Sequence, residues 1–483
     1  MERGGFREAF SRIVDVPVSR PDELFEKIAL MADAGIALRD SSILEYGLYL
    51  LEHHARDILA VPAFASLHWF NVANLRANLL AVGESEGGSR CWYVRRQTAP
   101  ARKAYAEAAA SCGGDDVLRS RILTAHGRLL VGLGRDWEAF RLFHEATLSD
   151  PGDDEALYGR VETLAALAGT APALETALLT EARDNLRELL EGEEGPGRDT
   201  AAEELMEKIL SRLPSDRAGE EATYPKNTVV TDTEREHAMV MFSLKNRLYL
   251  TPCAACRKCD RSVGDAAAPG AQHARFGGKR TDVYRRTAAI IGRLTERYRA
   301  LRTALIDHHR GTPVPDGADH QPHSPEVEGW RPAEPATAAF VTALAGAGTL
   351  IEGMASCVAL SLGRDVTGPV RADHIFGTPA VPGASMSGVS NPALHGFWDL
   401  WADGAEGLVE GAGLIDLFGK SLTSPEAEKL MLDEERLTTE ALGLIGWIRD
   451  LIAYLIRMAD RDARGDLGDP PLWPLQPFVL PQR

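Results

Sequence analysis

Residues 123–151 read LTAHGRLLVGLGRDWEAFRLFHEATLSDP, and few folds are compatible with this stretch. Its pattern predicts two helices joined by a short turn, closed by a proline. Gly127 and Ala139 leave room for the two helices to approach, Phe143 fills the space between them, and Ala146 admits a following unit. Because a single thin hairpin cannot bury its own apolar side, the stretch predicts neighbours of the same kind.

Weaker copies of this hairpin surround it. LMADAGIALRDSSILEYGLYLLEHHA, residues 30–55, predicts one unit, and FNVANLRANLLAVG with APARKAYAEAAAS predicts the two helices of another. DDEALYGRVETLAALAG opens the unit that follows the strong one, and the amphipathic segments ALLTEARDNLRELLEG and AAEELMEKILSRL are predicted to cap the array. The spacing resembles the tetratricopeptide repeat of about 34 residues, which implies a helical superhelix.

Such a superhelix has a concave groove that binds an extended protein or peptide partner. Arg121 and Arg128 are seven residues apart and therefore share a face of the first helix of the strong unit. Together with Tyr158 they are the predicted partner-binding residues, suited to an acidic peptide. A solvated helix face is the alternative interpretation of the same arginines.

The second half of the chain also predicts helices, and no alternation typical of strands appears in either half. In the last helix the apolar residues recur at three- and four-residue steps, at Leu442, Ile445, Ile448, Ile452 and Leu455. The predicted fold class is therefore all-α. The predicted organisation is a repeat domain at 20–213, a linker at 214–235, a helical domain at 236–466 and a Pro-rich tail at 467–483.

The order of segments after the repeats resembles that of a bacterial family that joins tetratricopeptide repeats to a HEPN domain (higher eukaryotes and prokaryotes nucleotide-binding). The matching segments are FSLKNRLYLTP, LTERYRALRTALIDHHRG, NPALHGFWDLW and ALGLIGWIRDLIAYLIRMA. The resemblance implies a helical bundle that binds or cleaves RNA, as a metal-independent endoribonuclease of defence or toxin systems, working as a homodimer without a catalytic cofactor. The alternative is a non-catalytic scaffold or interaction protein whose HEPN-like domain is degenerate.

The family's catalytic signature is an arginine and a polar residue followed after a few residues by a histidine. A neutral imidazole can accept the proton of the RNA 2′-hydroxyl, and a guanidinium can hold the phosphate oxygens. The segment before the last helix contains no histidine, so the motif is degenerate there. The candidate in the C-terminal half is Arg302 with His308 or His309, although Arg121 and His126 also have a suitable spacing inside the best repeat unit. A charged helix end is the other interpretation of this segment.

Three cysteines, Cys253, Cys256 and Cys259, follow each other at three-residue steps in TPCAACRKCD. A closed zinc site needs four ligands, and Asp260, Asp265 and His273 are the nearby candidates for the fourth. A structural zinc ion, a redox pair and reduced thiols in a loop all remain open as interpretations.

Charge is unevenly distributed along the chain. With 53 Lys/Arg and 70 Asp/Glu its formal charge is −17, whereas residues 257–310 hold 13 Lys/Arg and 5 Asp/Glu. This basic segment is the predicted place for RNA, or else it pairs with the acidic remainder of the chain.

The apolar run from Thr337 carries Glu352 near its middle and predicts a buried helix, not a membrane span. The charged N-terminus and the scattered remaining cysteines predict a cytoplasmic location.

Overall fold

The computed structural model describes residues 20–82, 90–192, 199–214, 234–251, 265–269, 279–310, 335–362, 366, 370, 377–378, 381–382, 391–420, 424–431 and 433–464. Over these residues the chain is all-α, as the sequence predicts. The helices are α1 (Pro21–Leu38), α2 (Ser41–Leu59), α3 (Pro62–Val82), α4 (Arg90–Ala110), α5 (Asp116–Gly132), α6 (Asp136–Ser149), α7 (Asp154–Leu167), α8 (Glu175–Gly192), α9 (Asp199–Arg212), α10 (Glu234–Lys245), α11 (Lys279–Arg310), α12 (Pro335–Ala345), α13 (Gly348–Ser361), α14 (Pro392–Ala405), α15 (Leu414–Lys420), α16 (Pro425–Met431) and α17 (Glu434–Arg464). Strand structure in the described part of the chain is limited to β1 (Gly377–Thr378) and β2 (Val381–Pro382), an antiparallel pair in which Thr378 lies opposite Val381.

The first eight helices pack in sequence order, each against the next, and alternate helices such as α5 and α7 also touch. Few residues separate these helices in the sequence, so consecutive helices lie side by side as hairpins. Asp153 illustrates how one side chain sets a turn and joins two hairpins. Its Oδ1 accepts a hydrogen bond from the Ala156 N–H at 2.9 Å and so caps α7, while its Oδ2 accepts one from the Ser120 hydroxyl of α5 at 2.7 Å.

Phe143 of α6 lies in the space that two glycines leave open. A Cβ atom on Gly127 of α5 would lie 2.8 Å from the Phe143 ring, and one on Gly159 of α7 would lie 2.5 Å from it. Phe143, Ala139 and Ala146 have no exposed area. The predicted roles of these small and bulky residues are confirmed, because an alanine at either glycine would push the ring out of its place.

The C-terminal half is built around two long helices, α11 with 32 residues and α17 with 31. They pack against each other, α12 and α13 lie on α11, and α14 lies on α17. Four of the predicted stripe residues of α17 are fully buried, namely Ile445, Ile448, Ile452 and Leu455. The tryptophans Trp398, Trp401 and Trp447 belong to the same core, and the Trp447 indole N–H donates to the Leu400 carbonyl at 2.8 Å.

The apolar run from Thr337 forms two helices, α12 and α13, where the sequence predicted one. Residues Thr337–Ser361 are long and apolar enough to cross a membrane, but half of the most apolar window is buried inside the fold. A turn at Gly346 and Ala347 separates the helices, and there the Ala347 N–H donates to the Leu344 carbonyl at 2.9 Å. Glycine lowers helix stability, which explains a break at this point.

The two halves of the chain share their interior. One apolar core lies among α1–α6, and a second runs from Trp137 and Phe140 of α6 through α7–α9 into the C-terminal helices. Backbones also approach closely, because a Cβ on Gly396 of α14 would lie 2.3 Å from the carbonyl oxygen of Gly134, in the turn before α6. The two cores therefore meet at α6, and residues 215–233 of the predicted linker lie outside the described part of the chain.

Candidate functional site

Arg302, the predicted phosphate-binding residue, is held by its own protein. Its Nη1 and Nη2 donate to the two carboxylate oxygens of Asp265 at 2.8 and 3.0 Å, and Nη1 also donates to the Leu248 carbonyl at 3.1 Å. The guanidinium carbon lies 4.9 Å from the ring centre of Tyr249 and 5.6 Å from that of Tyr298. Such a bidentate pair stacked between aromatic rings leaves little of the guanidinium for a phosphate.

Asp265 is equally committed. Besides Arg302 it accepts hydrogen bonds from the Leu250 N–H and from Arg299 Nε, both at 2.8 Å. Burial alone would raise the pKa of the Asp265 carboxyl, but the hydrogen bonds and charge of Arg302, with help from Leu250 and Arg299, hold that pKa below its usual value. Because both oxygens of Asp265 are occupied, this residue does not offer itself as a fourth zinc ligand.

The two candidate histidines contact other helices. His308 is 4 % exposed, its Nδ1 lies 3.2 Å from the Thr337 hydroxyl and its ring stacks on Phe340 of α12 at 4.9 Å. His309 is exposed, and its ring lies 4.7 Å from that of Phe242 in α10. These contacts hold the end of α11 against α10 and α12, so both histidines serve as packing residues.

The helix geometry separates Arg302 from His308. Six residues at about 100° each place their side chains about 120° apart around the axis of α11, on different faces. His309 is seven residues from Arg302 and returns to the same face, but about 10 Å further along the axis. A base and a phosphate-binding group in RNA cleavage must reach adjacent atoms of one substrate, and the described contacts do not bring these side chains around one such point.

The predicted partner-binding residues lie on α5 and α7, and one of them is neutralised. Arg121 is exposed. Arg128 lies 3.6 Å from Glu155 and 3.5 Å from Glu162, and its guanidinium carbon is 5.6 Å from the ring centre of Tyr158. Arg128 of α5 and Tyr158 of α7 therefore lie next to each other. The two glutamates, however, offset the positive charge that was expected to attract an acidic peptide.

The cysteine cluster is not among the residues that the structure describes, so Cys253, Cys256 and Cys259 stay with their three interpretations. Within the described ranges no group of three or more His, Cys, Asp or Glu side chains could hold a metal ion. Cys112 and Cys357 are free thiols. Burial raises the pKa of the Cys357 thiol to about 12, although the charge of Arg293 acts in the opposite direction, so Cys357 is inert at neutral pH.

A second arginine cluster lies where the two halves meet, and no pattern in the sequence predicts it. Arg135, in the turn before α6, is 4 % exposed, and its Nη1 donates to Asp399 and to Asp403 of α14, both at 2.7 Å. Its Nε donates to Glu138 at 2.8 Å. Arg102 of α4 adds a bidentate pair with Asp403 at 2.6 and 2.7 Å. We call these five residues the interface network.

The network continues along α17. Asp450 accepts hydrogen bonds from Arg141 of α6 at 2.7 Å and from Arg449 at 2.7 and 2.8 Å, and the Tyr454 hydroxyl donates to Glu138 at 2.8 Å. Burial would raise the pKa of Asp450, but the charges of Arg141 and Arg449 lower it below its usual value. The carboxylate therefore stays ionised and binds α6 to α17 at neutral pH.

Arg135 also remains charged. Burial alone would lower its pKa, but the charges of Glu138, Asp403 and Asp399 raise the pKa well above its ordinary value. With each cation matched by carboxylates and little water access, this cluster is suited to joining the halves and not to binding a ligand. The signal in the sequence was the pair Asp399 and Asp403, two acids four residues apart on an otherwise apolar helix.

A groove on the outer side of the bundle is open to solvent. It has a volume of about 400 Å³ and lies between α11 and α13. Three exposed arginines form its rim, Arg286, Arg293 and Arg297, and we call it the arginine groove. They belong to the basic segment 257–310 that the sequence analysis singled out.

Comparisons with known proteins identify no relative of this chain. A scan against protein-family models, a search among curated proteins and a search among solved structures each found no match.

Proposed function

We propose that the chain is a non-catalytic interaction protein in which tetratricopeptide-like hairpins and a degenerate HEPN-like bundle act as one rigid scaffold. The observation that carries the proposal is the bidentate pair of Arg302 with Asp265. An arginine that holds α11 to the segment at Leu248 and Asp265 has a structural role that needs no substrate. The burial of His308 against Phe340 supports the same conclusion, since a general base must reach the proton it removes.

The interface network supports the scaffold part of the proposal. Inter-domain contacts usually permit relative motion unless the interface is extensive and well packed. Here a close backbone approach at Gly134 and Gly396 and a set of buried charge pairs join α4 and α6 to α14 and α17. A partner bound to the repeats would then be held in a fixed orientation relative to a partner bound to the bundle.

The alternative is metal-independent RNA cleavage by Arg302 with His308 or His309, and one assay separates the two. Purified protein is incubated with fluorescently labelled single-stranded RNA in the presence of EDTA. We expect no cleavage by the folded wild-type protein. EDTA-resistant cleavage that is lost in folded Arg302→Ala and His308→Ala variants would contradict the proposal.

Stability gives the second readout. Removing one partner of a buried ion pair costs about 3–5 kcal/mol, so Arg302→Ala should lower the free energy of unfolding by about 3 kcal/mol. Arg285→Ala is the matched control on the same helix, because the pair that Arg285 forms with Asp282 is exposed on both sides. Its effect should stay within about 0.5 kcal/mol. If the Arg302→Ala variant is as stable as the Arg285→Ala variant, Arg302 has no structural role.

A further inference from the structure

The repeat hairpins end at α9, and this helix carries an exposed apolar side chain. α9 packs against α8 and α7, and Ala202 and Ile209 are each 1 % exposed. Leu210, the residue after Ile209, is 41 % exposed. The last unit of a repeat array has no neighbour to bury its outer face, so that face is normally polar. A leucine in contact with solvent at this position therefore requires a separate explanation.

A groove open to solvent runs along the α8–α9 hairpin. It has a volume of about 460 Å³, and we call it the capping groove. One residue of α8 and five of α9 line it, namely Leu190, Glu203, Met206, Glu207, Leu210 and Ser211. Positions 203, 206, 207 and 210 have the i, i+3, i+4, i+7 spacing of one helix face. This stripe is about 10 Å long, which corresponds to two helical turns.

The floor of the capping groove is apolar and accessible. Leu190 and Met206 are half-buried, because each packs on one side against the core, and Leu210 is exposed. A ligand in the groove can therefore contact all three side chains without any movement of the fold. Removing such apolar area from water is favourable, and the gain grows with the area that is covered.

The rim of the capping groove is negatively charged. Glu203 and Glu207 are exposed, and among the described residues no cation lies at ion-pair distance from either carboxylate. Glu175 of the same hairpin, in contrast, pairs with Arg212 at 2.9 Å. Like charges four residues apart on a helix repel each other, so Glu203 and Glu207 slightly destabilise α9. A cationic group bound beside them would relieve this repulsion.

The floor and the rim together determine the chemistry of the partner. Nucleic acids and anionic lipid surfaces carry the same sign of charge as the rim, and the chain as a whole has a formal charge of −17, so both are repelled. A second copy placed symmetrically on the groove would bring Glu203 and Glu207 against the same two glutamates. An amphipathic helix with cationic residues beside its apolar stripe meets both requirements, since such helices place apolar anchors at i, i+3, i+4 and i+7 into apolar grooves.

We propose that the capping groove binds a basic amphipathic helix of a partner protein, which adds one helix to the end of the repeat array. The proposal rests on the proposed interaction function and specifies one of its binding surfaces. Apolar side chains of the partner contact Leu190, Met206 and Leu210. Its lysines or arginines pair with Glu203 and Glu207, which α9 holds one helical turn apart.

The test uses the full chain and three fluorescein-labelled peptides in anisotropy titrations. The first is a basic amphipathic peptide of about 15 residues with leucines on one face and lysines on the others. The second is a scrambled peptide of the same composition, and the third replaces each lysine by glutamate. We expect wild-type protein to bind the first peptide more than about tenfold more tightly than the second, because scrambling keeps the charge and removes the apolar face.

One variant reverses the charge of the rim. Glu203→Lys/Glu207→Lys should bind the basic peptide more than about tenfold more weakly than wild type and should prefer the glutamate peptide. The matched control is Glu26→Lys/Glu45→Lys, which changes the net charge equally at exposed glutamates of α1 and α2. Because charges far from the groove are screened by salt, the control should bind within about twofold of wild type.

A second variant alters the floor without changing the charge. Leu210→Gln should weaken binding of the basic peptide by about tenfold, since it removes the most exposed apolar contact. The matched control is Leu148→Gln, at a leucine of α6 that is 69 % exposed, and it should bind as wild type. Substitutions at exposed positions rarely affect folding, so all the variants should keep the circular dichroism spectrum and the unfolding midpoint of wild type.

Three results would overturn the proposal. They are no binding of the basic peptide to wild-type protein, equal binding of the scrambled peptide, and a rim or floor variant that binds as its control does. Self-association of the wild-type protein that is lost in Leu210→Gln, measured by light scattering, would overturn it as well and assign the groove to a second copy. The RNA cleavage assay is independent of these peptides, so the capping groove can fail while the non-catalytic proposal stands.

Discussion

Replacing Arg135 by methionine removes the central cation of the interface network while keeping most of the aliphatic volume. The change leaves Asp399, Asp403 and Glu138 without the hydrogen bonds they now receive at 2.7–2.8 Å. Arg102 still pairs with Asp403 and lies 3.4 Å from Asp399, so the loss is partial at both carboxylates. Removing one partner of a buried charge pair costs about 3–5 kcal/mol, and we expect Arg135→Met to lower the free energy of unfolding by about 4 kcal/mol.

This loss is large relative to the total free energy of unfolding, which is about 5–15 kcal/mol for folded proteins. Denaturant unfolding followed by circular dichroism and by tryptophan fluorescence measures it. The matched control is Arg436→Met on α17, whose pair with Glu440 at 2.7 Å involves an arginine side chain that is 60 % exposed. Exposed pairs contribute about 0–1 kcal/mol, so the control should hardly change the unfolding midpoint.

A double variant tests whether the cost comes from uncompensated charge. Asp403→Asn added to Arg135→Met removes one of the carboxylates that lose a hydrogen bond from Arg135 in the first variant. We expect a coupling free energy of about 1–3 kcal/mol between the two positions. If Arg135→Met costs no more than Arg436→Met, or if the two effects simply add, the buried charge pairs do not stabilise the junction and the reasoning is refuted.

Two further predictions concern the same junction. Gly396→Ala should lower the free energy of unfolding by about 1–3 kcal/mol, because the new Cβ would lie 2.3 Å from the Gly134 carbonyl oxygen. The control is Gly446→Ala, which should be neutral or stabilising by up to about 1 kcal/mol, because no atom lies within 4 Å of its new Cβ. Equal effects of the two variants in thermal unfolding would contradict the close approach of the backbones. Burial and the charges of Arg102 and Arg135 lower the pKa of His126 to about 3 from 6.5, so the unfolded chain binds the proton first, and stability should fall by up to about 2 kcal/mol as the pH is lowered from 6.5 to 4.5. In His126→Gln the free energy of unfolding should change less between pH 6.5 and pH 4.5. An unchanged slope would show that the His126 imidazole does not cause the loss of stability.

The fold class and the packing of the strong hairpin could be predicted from local pattern alone. Phe143, Gly127 and Ala146 act within consecutive helices, where spacing of three and four residues determines which side chains share a face. The same holds for the stripe of α17, where Ile448 and Ile452 are buried as predicted.

What the sequence could not show was the pairing of distant residues. Arg135 and Asp399 are 264 positions apart, and no periodicity connects them. For the same reason the sequence marked Arg302 as a candidate for catalysis, since its pairing with Asp265 across 37 positions appears only in three dimensions. A charged residue inside an apolar helix, such as Asp399, is the signal that should have suggested a buried partner.

The break of the apolar run at Gly346 was missed because both parts have helical composition. A glycine inside a helical pattern is compatible with a continuous helix or with an end, and tertiary packing decides between them. Here α12 and α13 both lie on α11, which requires the chain to turn between them.

We infer that the repeat hairpins and the C-terminal helices form one body held together by contacts outside the covalent chain. A protease site introduced between residues 215 and 233 tests it directly, because the chain can be cut after folding and analysed by size-exclusion chromatography. We expect both fragments of the wild-type protein to elute together, even in concentrated salt, because salt screens buried ion pairs only weakly. The fragments of the Arg135→Met variant should separate. Fragments of the wild-type protein that separate on cutting would contradict the claim.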